Sequence, residues 1–260
     1  METGGVIRSY VALGDSFTEG MEDELGSDGR HRGWADRVAA GLAVAQGSVR
    51  YANLAVRGRL LDQVAAEQLP VALRLEPDLV SFHAGSNDVL RPRTDLPALL
   101  ARYDAAVGAL AGAGRRVLLF TVIERTGTGR TAERLAARFR AFNAGVRATA
   151  AAHGGLLVDL AAVPALADRR LWHSDRLHLA PEGHARVAAA VLDVLGVERS
   201  DWWRSALPGS AVATRRAALV ADVRWVRIHL LPWIGRRIRG VSSGDGVTPK
   251  HAELVEIVSD

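Results

Sequence analysis

A chain of 260 residues, 48% hydrophobic and 24% charged, is long enough to bury one sizeable core and too apolar for a disordered polymer. It has no cysteine, which excludes disulfides, thiolate metal sites and a cysteine nucleophile. Its formal charge is +4 and its 33 basic residues include a single lysine, Lys250, so a P-loop, which needs Gly-Lys before Ser or Thr, is excluded too.

The amino terminus, Met1 to Gly5, has no basic leader region, and the apolar stretch after it is interrupted by Arg8. It does not resemble a secretory signal, and cytoplasmic residence is the expectation. No apolar run is long enough for a spanning helix.

Short Val-, Leu- and Ile-rich runs alternate with longer Ala- and Arg-rich stretches, the pattern of βαβ units around a parallel sheet. The first strand, near 7–13, runs into Gly14-Asp15-Ser16-Phe17-Thr18-Glu19-Gly20, which sets a serine hydroxyl at a strand-to-helix turn. Read alone, Ser16 and Glu19 have the spacing of a capping box. A helix is predicted over 32–46 and a second strand over 49–54. That strand leads into Asn53-Leu54-Ala55-Val56-Arg57-Gly58, where Gly58 permits either a tight turn or a close approach of its N–H to a substrate.

After a helix over 60–75, a third strand near 78–83 ends at Gly85-Ser86-Asn87-Asp88, which is ordinary turn chemistry or an amide donor held over the same edge. A helix over 95–112, stopped by Gly112 and Gly114, precedes a strand over 116–123. Glu124 and Arg125 then fit a pocket mouth or a surface ion pair equally well. A helix over 131–152 stops at Gly154-Gly155 and a fifth strand covers 155–159. The loop Trp172-His173-Ser174-Asp175-Arg176-Leu177-His178-Leu179 follows, before a helix over 181–195 opened by Pro181. Its Asp and His, three apart, allow one loop to deliver a base and the group that orients it. The sum is a three-layer α/β/α sandwich on a five-stranded parallel sheet, with ligands expected beyond the carboxyl ends of the strands.

These four stretches, in this order, resemble blocks I, II, III and V of the SGNH (GDSL-type) hydrolase superfamily. The departure is Gly-Asp-Ser-Phe where the namesake has leucine. The resemblance covers about the first 198 residues and implies a flavodoxin-like fold. It implies Ser16 as nucleophile, His178 as base and Asp175 as the acid that orients it, with an oxyanion hole from the Ser16 N–H, the Gly58 N–H and the Asn87 amide. Asp15 and Asp88 would brace the loops. The activity implied is hydrolysis of a small or lipid-like acyl ester, with no cofactor and no metal. Acyl transfer by the same residues, or a binding protein on a degenerate hydrolase fold, are the alternatives. His173, Asp175 and His178 lack the further ligands of a metal site, and His83, His153 and His184 read as structural.

Residues 199–260 form a separate extension to the 1–198 domain. Between 199 and 240 it holds four of the six tryptophans (Trp202, Trp203, Trp225, Trp233) and nine arginines against two acids, Asp201 and Asp222. Leu219, Val223, Val226, Leu230 and Ile234 give an amphipathic helix over 214–231, ended by Pro232. Arg216 and Arg227 blur its apolar stripe. Docking on the domain or on a second copy is therefore favoured over weak peripheral contact with an anionic membrane, and nucleic acid is not an expected partner. The last twenty residues are either disordered or an extended strap along the surface.

Overall fold

A computed structural model describes residues 5–124, 129–209, 223–232, 235 and 243–259. Five parallel strands form the sheet: β1 (Ser9–Gly14), β2 (Ser48–Asn53), β3 (Leu79–His83), β4 (Arg116–Phe120) and β5 (Leu156–Val158). The order is β5-β4-β3-β1-β2, extended at the β2 edge by an antiparallel sixth strand, β6 (His251–Val258). The chain's last segment is thus an edge strand, and the five-stranded sheet of the sequence reading becomes six-stranded. The last twenty residues, read from the sequence as either disordered or an extended strap, here include a strand paired with β2, from Ser48 opposite Val258 to Asn53 opposite His251.

Both faces of the sheet are covered, which is why its strands read as nearly continuous apolar runs. On one face Tyr10 packs with Trp34, Val38 and Leu42 of α2 (Gly33–Gln46) and with Val187 and Val191 of α8 (Pro181–Leu195). On the other, Val11, Leu13, Val80 and Phe82 meet Leu99, Tyr103 and Val107 of α6 (Leu96–Gly112) and Phe142 and Val146 of α7 (Arg130–Ala152). Successive β1 residues therefore alternate between two cores, the period-two rule of a strand.

The helix predicted over 60–75 is interrupted. α3 (Leu61–Gln63) and α4 (Leu69–Leu75) flank a π-turn at Val64–Gln68, next to Pro70, which has no N–H to continue the α ladder. The turn delivers the buried Gln68 amide to the end of β1, where it accepts from the Gly14 N–H at 2.8 Å and donates to the Gly14 carbonyl at 2.9 Å. Of the helix expected over 214–231, residues 214–222 lie outside the described residues, while 223–232 are helical with a π-turn at Val226–Leu230. No helix among the described residues is long and apolar enough to cross a membrane.

Candidate active site

Gly14, the last residue of β1, is the register partner of His83, the last of β3, so the turns after both strands emerge side by side. A Cβ on Gly14 would lie 2.6 Å from the His83 carbonyl oxygen and 2.5 Å from Thr18 Oγ1. Only glycine lets the short α1 (Ser16–Glu19) fold back this closely. Asp15 caps α1, its carboxylate accepting the Phe17 N–H at 3.1 Å. Ser16 is therefore the first helical residue and not the cap. It lines a cavity, and its Oγ makes no hydrogen bond to a described residue. Glu19, the other half of the supposed capping box, accepts the Arg57 N–H at 2.6 Å and pairs with the Arg57 guanidinium. Phe17, at the position where the motif departs from leucine, stacks obliquely on His83 with centroids 4.4 Å apart and packs against Trp34 and Phe120.

The Glu19–Arg57 pair anchors the turn that carries Gly58, whose φ of 75° lies in the left-handed region that favours glycine. On the other side of that turn, the Arg59 carbonyl accepts from Asn87 Nδ2 at 3.0 Å. The second Asn87 amide contact runs to Asp15 Oδ2 at 3.1 Å, so both hydrogens of that amide are engaged. Ser86 Oγ donates to the same Asp15 oxygen at 3.0 Å. By contrast, the N–H groups of Ser16 and Gly58 make no hydrogen bond to a described residue. Burial opposes ionisation of Asp15, but His83, the Phe17 N–H and the Ser86 hydroxyl outweigh it and hold the carboxyl below its ordinary range. Asp88 Oδ2 accepts the Leu61 N–H at 2.9 Å, tying α5 (Ser86–Val89) to the start of α3.

The 172–179 loop closes on itself through an antiparallel bridge between Trp172 and Leu179 and a 2.9 Å bond from the His173 N–H to the His178 carbonyl. Inside it, Asp175 Oδ1 accepts the N–H groups of Leu177 at 2.9 Å and His178 at 3.1 Å, and Asp175 Oδ2 lies 2.6 Å from His178 Nδ1. Burial would raise the Asp175 carboxyl. The imidazole and the two backbone donors prevail and hold it well below the usual carboxylate range. An ionised Asp175 assigns the imidazole proton to Nδ1, leaving Nε2 as an acceptor. Arg169, which lines the same cavity as Ser16, grips the loop by donating to the Trp172 and His173 carbonyls at 2.8 Å each.

Ser16, Asn87 and His178 line one cavity of about 960 Å³. Asp175 and Gly58 are not in its wall; Asp175 holds the imidazole by its Nδ1 edge, and Gly58 neighbours the Arg59 carbonyl that Asn87 grips. Ser16 Oγ and His178 form no hydrogen bond to each other, an arrangement that catalytic pairs often show before substrate tightens them. Leu90, Val122 and Ile123 line the same space with Leu135 and Phe139 of α7. Glu124 reaches it too and accepts from Asn143 Nδ2 at 3.1 Å, while Arg125 lies outside the described residues.

His184 also lines the cavity. Its Nε2 meets the Met21 carbonyl at 3.0 Å, and burial pushes its pKa down to about 4, so it is neutral near pH 7. His153 pairs with Asp104 at 3.1 Å and is not in the cavity wall. One ligating atom each of Glu22, Asp175 and His178 lie within 4.8 Å of one another. Asp175 already spends its oxygens on the imidazole and two N–H groups, which leaves little for a cation. Sequence reasoning missed Gln68, His83, Arg169 and Trp225 as neighbours of this site. Only His83, the last residue of a strand beside the motif edge, carried a positional signal.

A six-stranded, mostly parallel α/β sandwich with a Ser turn, an Asn turn and an Asp-His loop at one carboxyl edge is the architecture of an SGNH hydrolase. The model of the GDSL-like Lipase/Acylhydrolase family matches residues 12–186, and the chain belongs to that family. No curated protein matches the sequence significantly. Among solved structures, the chain is similar to an acetylxylan esterase, Axe2 from Geobacillus stearothermophilus, at 20% identity and a TM-score of 0.64, covering 76% of this chain and 98% of that one. It is similar to TesA at 23% identity and a TM-score of 0.60, covering 72% and 97%. It is also similar to the psychrotrophic esterase EstA from Pseudoalteromonas sp., solved inhibited by monoethylphosphonate, at 15% identity and a TM-score of 0.59, covering 73% and 97%. At these identities the likeness is one of fold.

Proposed function

We propose that the chain hydrolyses a carboxylic ester through an acyl-enzyme on Ser16. The observation that carries this reading is the 2.6 Å contact of His178 Nδ1 with Asp175 Oδ2 in a cavity that Ser16 also lines. An alkyl hydroxyl is a weak nucleophile at neutral pH and needs a base as it attacks. With its proton held on Nδ1, His178 takes the Ser16 proton on Nε2 while Oγ bonds to the carbonyl carbon. Asp175 stabilises the resulting imidazolium without becoming protonated.

Attack pushes an electron pair onto the carbonyl oxygen. The Ser16 N–H, which bonds to no described residue and belongs to a cavity-lining residue, receives it, and the Gly58 N–H, equally without a partner among the described residues, joins it if its turn closes on the cavity. The Asn87 amide joins them only if its bond to the Arg59 carbonyl or to Asp15 lengthens. α1 is a single turn, so its dipole adds little. When the C–O bond breaks, His178 protonates the departing alcohol, then deprotonates the water that attacks the acyl-enzyme and returns that proton to Ser16 Oγ as the acid leaves. The apolar wall of Leu90, Val122, Ile123, Leu135 and Phe139 favours a hydrocarbon acyl chain over a sugar or a charged group on that side.

The test is hydrolysis of p-nitrophenyl acetate, butyrate and octanoate, together with labelling by a fluorophosphonate, by the full chain and by Ser16→Ala. Hydrolysis and labelling are expected in the former alone. Activity that survives Ser16→Ala ends the serine mechanism.

A further inference from the structure

The family match ends at residue 186, yet the helical segment 223–232 of the extension rests on the loop that carries Asp175 and His178. The Trp225 indole N–H donates to the Asp175 carbonyl at 2.6 Å, and the Arg176 guanidinium carbon lies 5.1 Å from the Trp225 ring centroid. One turn later, the His229 ring meets the His173 ring edge-on at 6.5 Å. Trp225 also lines the same cavity as Ser16 and His178.

We infer that Trp225 is a positioning residue for the Asp175–His178 pair and a wall of the substrate cavity, so that the extension completes a site the family core leaves unfinished. The inference rests on the hydrolase reading above.

Arg176 sits between the acid and the base with φ at 61°, a left-handed conformation that strains a non-glycine residue. Relaxing it would rotate the Asp175 peptide and swing the carboxylate away from His178. The loop is held against that rotation at two places. Arg169 takes the carbonyls of Trp172 and His173, and Trp225 takes that of Asp175, which accepts no other hydrogen bond from a described residue. The indole therefore braces the peptide at which the strain would relax. Its ring does a second job, since removing it opens the cavity wall beside His178.

Two full-length variants separate these roles: W225F keeps an aromatic wall and loses the donor, and W225A loses both. The first readout needs no turnover: the low-field proton NMR signal of the His178 Nδ1–H, assigned by its loss in His178→Gln, is expected to move or broaden in W225F. The second is kinetic. W225F is expected to lower kcat about threefold to tenfold on acetyl and octanoyl esters with KM near that of the parent, the worth of one net hydrogen bond. W225A is expected to raise KM for the octanoyl ester as well, by about tenfold, with a smaller rise for acetyl. An unaltered proton signal and kcat in W225F overturn the positioning role, and equal KM changes for both esters in W225A overturn the wall. If the parent chain hydrolyses no ester, the hydrolase reading has failed. The proton signal still decides the inference: movement in W225F supports the brace, and an unmoved signal rejects it.

Discussion

Glu19 accepts the backbone N–H of Arg57 at 2.6 Å and pairs with its guanidinium, so the helix turn bearing Ser16 and the turn bearing Gly58 are held by one carboxylate. The distance between two candidate oxyanion donors is thereby set by a side chain that hydrogen-bonds to neither. Glu19→Ala should remove hydrogen bonds worth about 1.5–3 kcal/mol and let the Gly58 turn drift. The expected result is a kcat lower by about tenfold with KM little changed, and a melting temperature lower by several degrees, read by steady-state kinetics and calorimetry. A lowered melting temperature with kcat intact would show that the turn holds its position without Glu19.

Asn87 poses a sharper question, because both of its amide hydrogens are spent on Asp15 and the Arg59 carbonyl. If the amide swings to a developing oxyanion, Asn87→Ala should cost about 10²-fold to 10³-fold in kcat. A residue that only braces two loops would cost roughly twofold to tenfold. We expect the larger loss, since the Arg59 carbonyl is a neutral acceptor and yields readily to an anion. Pre-steady-state acylation rates with a p-nitrophenyl ester give the answer directly.

Much of this arrangement was legible in the chain because hydrophobic periodicity is local. α8, predicted over 181–195 from Pro181 and its apolar spacing, runs Pro181–Leu195. Where distant residues decide, local rules fail. Ser16 and Glu19 have capping-box spacing, yet Arg57, 38 residues on, captured the glutamate and Asp15 took the cap. β6 carries charges at Glu253 and Glu256 and packs little apolar surface, so only its pairing with β2 makes it a strand. Trp225 finds its acceptor 50 residues away on a backbone carbonyl, a partner with no side-chain signature. Arg169 is one arginine among many, and nothing in its neighbours says that it will grip a loop.

His184 gives the fold a pH dependence whose sign follows from burial. Its pKa falls from 6.5 in the unfolded chain to about 4 in the folded one, so between these values the unfolded chain binds a proton that the native state refuses. Stability from this group is complete above pH 6.5 and is lost as the pH falls toward 4. At pH 5 the loss should be about 2 kcal/mol. The Asp175 carboxyl, held low, adds a loss of the same sign only below its ordinary pKa of 3.8. Urea unfolding at pH 7 and pH 5 should show this difference in the parent chain and much less of it in His184→Gln, which keeps a donor for the Met21 carbonyl without the titration.

Lys250 provides the last test, because it joins the start of β6 to the core through a chain of buried polar groups. Its ammonium lies 2.5 Å from Asp36 Oδ2 and donates to the Arg32 carbonyl at 2.9 Å. Tyr51 donates to the other Asp36 oxygen at 2.6 Å, and Asn53 donates to Tyr51 Oη and to the Thr18 carbonyl, both at 3.0 Å. Lys250→Met would leave the Asp36 charge buried without its cation, at a cost of about 3–5 kcal/mol. Pairing it with Asp36→Asn removes the orphaned charge, so the double variant should recover part of that loss, the non-additivity expected of direct partners. Catalysis should respond differently from stability. Asn53 still holds Thr18 in both variants, so kcat at a temperature where the chain stays folded should remain close to the parent's. A matched fall in kcat and stability would mean that the edge strand sets the geometry of α1 as well as anchoring the sheet.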